Sequence, residues 1–403
     1  MRIVIIGNGI AGVTTARRIR ELDDSADVQI ITSEPYHFYF RPKLPGLIAG
    51  ELELDDVLAF PADWYASKRI DVRLSTTVAS VDPAAHTLTL DAGETVEWDK
   101  LIVASGANAF VPPIPGVDLD GVFSVRSAGD ALALREWARN RKEAVVIGGG
   151  LLGLESARGL CHSGLDVTVL EFADWLLPRQ LDEDGAALLQ RAVEKIGMTI
   201  LTSAHTETIE GSGSVTGVTL KEGRTIPAEA VVVSTGIRSA ISFLEGSGIA
   251  TDRAVIVDEG MRTSAPDVYA VGDVAEFEGV TWGIVPVAID QAEVAARFAT
   301  GDESEPYIPV PPSNTLKITG IHVFSSGESA CGPEGCVEYV LSDESAGLYR
   351  KVVLQDGIIV GAIVIGSRTG VRELGTMIER GLDVGRHGDA LVTETFDFKA
   401  ALG

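Results

Sequence analysis

Two glycine runs carry the clearest chemistry in the chain: Gly7-Asn8-Gly9-Ile10-Ala11-Gly12 and Gly148-Gly149-Gly150-Leu151-Leu152-Gly153. Both fit Gly-x-Gly-x-x-Gly. The first glycine of such a run makes a tight turn, the second lets the backbone approach a pyrophosphate, and the third lets a helix pack close to a strand. The free N–H groups and dipole of that helix then favour the phosphate charge. An acidic residue stands at the end of the next strand in each case, Glu34 and Glu171, where a carboxylate can accept hydrogen bonds from ribose hydroxyls. One such run alone is a weak signal, because ligand-free glycine turns and strand-end carboxylates are common. Two runs in strand-turn-helix context, each with its acid, point to two bound dinucleotides. Phe172-Ala173-Asp174 follows Glu171 without an arginine. A 2′-phosphate there would meet carboxylates and no cation, which favours NADH over NADPH.

The elements that must position these turns are legible on both sides. Ile3 to Ile6 is a continuous apolar run, as expected of a strand buried on both faces. Val13, Ala16, Ile19 and Leu22 recur at helical spacing, and Val28 to Ile31 is the next strand. The pattern repeats with Ala144 to Ile147, then Leu154, Ala157 and Leu160, then Val167 to Leu170. The fold class is therefore α/β, with two Rossmann-like dinucleotide-binding domains. Leu101 to Gly106 and Val231 to Gly236 both read as buried strands ending in small residues, the paired crossings between a first domain and a second inserted into it. The expected boundaries are 1–108 with 237–302 for the first domain and 109–236 for the second. A proline-bearing linker spans 303–312, with Pro306, Pro309, Pro311 and Pro312. A small α+β domain spans 313–403. In it Tyr349 to Leu354, the Asp356-Gly357 turn and Ile358 to Ile365 read as a hairpin, and Val371 to Leu382 as a helix.

Composition bounds the reading. The 403 residues are 45% hydrophobic with 44 glycines, which excludes a disordered chain. A net charge of −25 argues against sequence-independent nucleic-acid binding and against docking on an anionic membrane. It reads as a solubility surface, or more sharply as adaptation to high salt or steering of a cationic partner. No run of about 18 apolar residues exists to span a membrane. Met1 to Ile6 leads straight into Gly7, leaving no room for a signal peptide, so the expected location is the cytoplasm.

Over about residues 1–300 the chain resembles the two-dinucleotide-binding-domain flavoproteins of the pyridine nucleotide-disulfide oxidoreductase superfamily. Thr263-Ser264-Ala265-Pro266-Asp267-Val268-Tyr269-Ala270-Val271-Gly272-Asp273 is similar to that superfamily's second FAD motif. The resemblance implies a glutathione-reductase-like arrangement with FAD in the first domain and the nicotinamide nucleotide in the second. It implies that Asp273 bonds the ribitol chain, and that Ile284 to Ala288, including Pro286, with Gln291, places a helix N-terminus beside the flavin. Tyr36-His37-Phe38-Tyr39-Phe40-Arg41-Pro42-Lys43-Leu44 resembles the corresponding run of NADH:rubredoxin oxidoreductases and of the FAD–NAD module of nitrite reductases. On that likeness Arg41 neutralises FAD phosphate, Lys43 lies near the flavin, and Glu155 lies near the nicotinamide, where it could pair with Lys43. Val78, Ala104, Ser105 and Gly106 are implied on the FAD side and Gly236 on the NAD side. Ferredoxin reductases of oxygenase systems have a similar run with a lysine further along than Lys43, which leaves the role of Lys43 open.

Cysteine placement sets the subclass. Disulfide reductases of the superfamily carry a cysteine pair after the FAD acid, and coenzyme A disulfide reductases and NADH peroxidases a single cysteine. Here no cysteine precedes Cys161, so a thiolate relay through the flavin has no residue at the usual position. Cys331-Gly332-Pro333-Glu334-Gly335-Cys336 has the spacing of a redox pair but sits on a turn in the C-terminal domain. A free surface pair is favoured over a local or redox-sensitive disulfide, and that over a metal or catalytic site, since two thiols alone do not complete a tetrahedral metal site; no metal is expected. Cys161 beside His162 reads as a buried cysteine next to a surface histidine. The function implied is transfer of electrons from NADH through FAD to a small redox protein, rubredoxin-like or iron–sulfur. The alternatives are an NADH oxidase or reductase of oxygen, quinone or a nitrite-linked acceptor, and a non-catalytic nucleotide-sensing protein. Rubredoxins are usually acidic, as is this chain, so a local basic patch or high salt is needed to bring them together. Sequence leaves the oligomeric state open.

Overall fold

The computed structural model describes residues 1–309, 313–318, 321–332 and 334–402; the expected linker residues Pro311 and Pro312, and Pro333 of the cysteine turn, lie outside them. The chain forms two compact units: Met1–Lys43, Glu53–Asn108 and Ile237–Val310 make the first, and Leu44–Leu52, Ala109–Gly236 and Pro311–Gly403 the second.

In the first unit the apolar run becomes the strand Arg2–Ile6, the centre of a five-stranded sheet in the order Val268–Ala270, Lys100–Val103, Arg2–Ile6, Asp27–Ile31, Ile70–Arg73. All four pairings are parallel, with Ile5 opposite Ile30 on one side and Ile102 on the other. A strand flanked on both edges and covered on both faces has no solvated side, which is why Ile3, Val4 and Ile5 are wholly buried. The helix Ile10–Leu22 packs Val13, Ala16 and Ile19 inward, three of the four positions its spacing marks; Leu22, at the helix end, is exposed. Its C-terminal end is tied by Arg20, a buried guanidinium that donates to the carbonyl oxygens of Lys68, Asp24, Ala26 and Arg69.

The second unit repeats the arrangement. Met198–Leu201, Asp166–Leu170, Glu143–Ile147, Ala230–Val233 and Val122–Phe123 form a parallel sheet with Glu143–Ile147 at its centre. The helix Leu151–His162 follows the central strand. The short helix Leu44–Ala49 clusters with this unit: a Cβ on Gly159 would lie 3.0 Å from Ile48.

The C-terminal domain is a five-stranded antiparallel sheet in the order Ser313–Ile318, Ile321–Gly327, Ile358–Ile365, Leu348–Gln355, Cys336–Asp343. The expected hairpin is present, with Leu354 opposite Ile359 next to the turn. The expected helix runs over Val371–Glu379 and stops short of Leu382, because Gly381 takes φ +57°. Its face Leu374, Met377 and Ile378 covers the sheet. The domain is fastened to the adjacent helix Glu183–Glu194 by polar contacts: Asp182, the helix N-cap, accepts from Tyr349 Oη at 2.6 Å and Lys351 Nζ at 2.9 Å. Among the described residues no helix is long and apolar enough to cross a membrane.

Candidate functional site

The first glycine turn is built by close approach. Gly7 adopts φ +106°, and a Cβ there would lie 2.2 Å from the carbonyl oxygen of Ala104. A Cβ on Gly12 would lie 2.0 Å from the carbonyl oxygen of Gly7. No larger residue fits either place, so the turn and the start of the helix are pressed against the sheet end. Ala104, Ser105 and Gly106 follow the neighbouring strand there; Ser105 Oγ donates to the carbonyl of Ala240 at 2.9 Å, and Gly106 takes φ +69°. Gly9 is the helix N-cap and supplies no capping side chain. The N–H groups of Ile10, Ala11 and Gly12 therefore open the helix without a side-chain acceptor from the cap, the condition for holding a phosphate.

The charged groups around this turn converge on it. Glu34 accepts from the Tyr39 hydroxyl and, at 2.5 Å, from Arg41 Nη2. Arg41 Nη1 stands 3.2 Å from where a Cβ on Gly9 would be. A cation beside the glycine at which a pyrophosphate would approach fits an anionic ligand. Gly272 takes φ +79°, and its Cβ would lie 3.0 Å from Ala11 Cβ, which brings the turn Gly272–Val274 carrying Asp273 against the start of the same helix. Gln291 Oε1 accepts from the Gly272 N–H at 2.8 Å and holds that turn. Pro286 lies in the first turn of the helix Val285–Ala299. Val78 is buried at the start of the strand Val78–Asp82. Lys43, on the short turn Arg41–Lys43, donates to the carbonyl of Asp56 at 2.9 Å.

The second turn is nearly the same object. Gly148 takes φ +114°, with its Cβ position 2.2 Å from the Ser234 carbonyl oxygen, and the Cβ position of Gly153 is 2.0 Å from the Gly148 carbonyl oxygen. Gly150 caps the helix, followed by Leu151 and Leu152, and a Cβ on it would meet nothing within 4 Å. That is the open cradle a bound pyrophosphate requires. Glu171 accepts from the Gly149 N–H at 2.7 Å and the Ala173 N–H at 2.8 Å, so its carboxylate is aimed at the glycine turn. Gly236 takes φ +117° in open space. Glu155 lies on the first helical turns, partly exposed; burial pushes its carboxyl up to about 7, with Arg158 pulling the other way. Lys43 belongs to the first unit and Glu155 to the second. Phe172, beside Glu171, is 70% exposed, with its ring edge-on to His205 at 4.5 Å between centroids.

The cysteines differ from expectation. Cys331 and Cys336 form a disulfide rather than a free pair, with Cα atoms 5.6 Å apart. The turn around them is held closed: Gly335 takes φ +88°, its carbonyl accepts from the Asp356 N–H at 3.1 Å, and Gln355 Nε2 donates to the Glu334 carbonyl at 2.8 Å. Cys161 is partly exposed rather than buried; burial and Asp166 push its thiol up to about 11. His162 beside it is exposed, as expected. Among the described residues no group of three or more His, Cys, Asp or Glu is placed to hold a metal.

Comparison with known proteins places this geometry. A family profile described as pyridine nucleotide-disulphide oxidoreductase matches residues 1–297, and one described as rubredoxin NAD+ reductase C-terminal domain matches residues 312–382. The chain is 38% identical to an NAD(P)H nitrite reductase of Bacillus subtilis over 384 residues, covering 95% of this chain and 48% of that protein. It thus spans about half the length of that relative. It is 32% identical to the NADH-rubredoxin oxidoreductase of Clostridium acetobutylicum over 388 residues, 96% of each. The crystal structure of NADH:rubredoxin oxidoreductase from Clostridium acetobutylicum superposes with a TM-score of 0.78 at 33% identity, covering 95% of this chain and 94% of that one.

Proposed function

Because the chain belongs to the pyridine nucleotide-disulphide oxidoreductases, we propose that it takes electrons from NADH onto FAD and delivers them to a small redox protein, a rubredoxin or an iron–sulfur protein. The observation that carries this reading is the pair of glycine cradles, each with an uncapped helix N-terminus and a carboxylate at the neighbouring strand end. The residues 1–108 with 237–302 hold FAD, and 109–236 hold NADH. Bound FAD supplies the chemistry that no side chain here provides, accepting two electrons together and releasing them singly.

The side chains bind and orient. Gly7, Gly9, Ile10, Ala11 and Gly12 hold the FAD pyrophosphate with Arg41 as counter-charge; Glu34 takes the ribose and Asp273 the ribitol. Gly148, Gly150, Leu151, Leu152 and Gly153 hold the NADH pyrophosphate, and Glu171 its adenine ribose. Glu171 and Asp174 leave no cation for a 2′-phosphate, which sets NADH above NADPH. The match of 312–382 to the C-terminal domain of rubredoxin reductases supports a protein acceptor. A relative that is 36% identical over 345 residues, covering 82% of this chain and 77% of its own length, is an NADH oxidase from Methanocaldococcus jannaschii, which keeps direct reduction of oxygen as the second reading.

Stopped-flow mixing of the anaerobically NADH-reduced protein with rubredoxin, ferredoxin or oxygen separates the two. The proposal expects fast reduction of one iron protein and slow reaction with oxygen. At a net charge of −25 an acidic acceptor is repelled, so its rate should rise with ionic strength as the charges are screened. Oxygen consumption faster than reduction of every iron protein tried would replace this reading with the oxidase.

A further inference from the structure

The disulfide in the C-terminal domain is not absorbed by the function above, and its surroundings give it a use. Cys331 is exposed, so a thiolate in solution can reach it. The two cysteines are separated by only five positions. Closing so short a loop adds the least to fold stability through chain entropy, so the bond can be reduced without unfolding the domain. The disulfide also stands at one end of a continuous chain of charged contacts. The Cys331 N–H donates to Glu338 Oε1 at 2.6 Å. Glu338 Oε2 pairs with Lys351 Nζ at 2.9 Å, and the same ammonium pairs with Asp182 Oδ2 at 2.9 Å. Asp182 Oδ1 in turn accepts from the Gly185 N–H at 3.1 Å and caps the helix Glu183–Glu194 of the nicotinamide domain. Lys351 has a side chain only 4% exposed and depends on both carboxylates for its charge.

We propose that Cys331–Cys336 is a thiol–disulfide exchange site for a dithiol reductant of the thioredoxin type, and that its reduction loosens the Glu338–Lys351–Asp182 tie between the C-terminal sheet and the nicotinamide-domain helix. A reductant thiolate attacks Sγ of the exposed Cys331, forming a mixed disulfide and releasing Cys336 as a thiolate. The reductant's second thiol then attacks its own sulfur in the mixed disulfide and frees Cys331. Two electrons and two protons pass to the cysteine pair, and the reductant leaves as its disulfide. Without the covalent closure, the Cys331 backbone is no longer fixed over Glu338. Glu338 loses a charge-assisted acceptor bond, Lys351 is less well neutralised, and the cap at Asp182 is less firmly placed.

The test uses the full-length, as-purified protein. It is treated with reduced thioredoxin in a dithiothreitol buffer, alkylated without denaturant and analysed by peptide mass spectrometry, with amide exchange measured on both forms. The expected result is alkylation of Cys331 and Cys336 only after reduction, with exchange over 183–188 rising at least threefold. Glu338→Gln, which keeps the disulfide, should raise exchange over the same segment without any reductant. A pair that yields no alkylation until the protein is denatured overturns the exchange site. A pair that reduces readily while exchange over 183–188 stays unchanged overturns the coupling. FAD content and NADH bleaching recorded on the same samples report the function proposed above as a separate readout.

Discussion

Glu155 offers a quantitative test of the second cradle. Its carboxyl is pushed from an ordinary value of 4.5 up to about 7 by burial on the helix that follows the glycine turn, with Arg158 opposing. A displacement of that size corresponds to about 3 kcal/mol of preference for the neutral form. Part of the side chain reaches solvent, and screening reduces this to about 2 kcal/mol. The sign follows from linkage: the folded-state value lies above the unfolded one. The neutral carboxyl therefore contributes stability that is complete below pH 4.5 and is lost as the pH rises through 7. Glu155→Gln removes the titration while keeping the shape. The variant should melt about 4–8 °C above the parent at pH 8, for a unit of this size. The gap should close as the pH falls towards 5. Melting curves of both proteins, free of added nucleotide, across this range are the assay. Parallel curves at every pH, or a variant less stable than the parent at pH 8, would show that Glu155 is solvated and charged in the folded protein.

Further outcomes follow from the same contacts. Gly153→Ala places a Cβ 2.0 Å from the Gly148 carbonyl oxygen; the purified variant should stay yellow with FAD while NADH bleaches it only at far higher concentration. Glu171→Ala removes the acceptor of two backbone N–H groups, and bonds to a charged group are worth about 1.5–3 kcal/mol. KM for NADH should therefore rise roughly 10- to 100-fold, as steady-state kinetics would show, with FAD content unaltered. Cys161, whose thiol is pushed up to about 11, should resist maleimide at pH 8 in the folded protein and react at once after unfolding.

The parts of the fold legible in sequence were those with local causes. Gly7 and Gly148 need positive φ and no side chain, a demand only glycine meets, so the turns are visible as letters. The strands Arg2–Ile6 and Glu143–Ile147 are buried on both faces and read as apolar runs. The antiparallel strands Val78–Asp82, Thr87–Leu90 and Thr95–Glu97 are not legible, because they are short and half-solvated: Val78–Asp82 buries only its first and fourth residues. The tie from Lys351 to Asp182 joins positions 169 apart, and nothing local in either segment announces it. The cysteine spacing allowed a disulfide without requiring one, since closure depends on Gly335 and on contacts to Gln355 and Asp356. Resemblance alone puts Arg41 near phosphate; its pairing with Glu34 and its approach to Gly9 emerge only once the loop is folded.

On the proposed function, one cradle holds FAD and the other NADH, in one working chain. Anaerobic titration of the purified protein with NADH, followed by flavin absorbance, tests it most directly. One FAD per chain is expected, bleached by about one equivalent of NADH. A colourless protein that FAD does not reconstitute, or a bound flavin that NADH leaves oxidised, would contradict it.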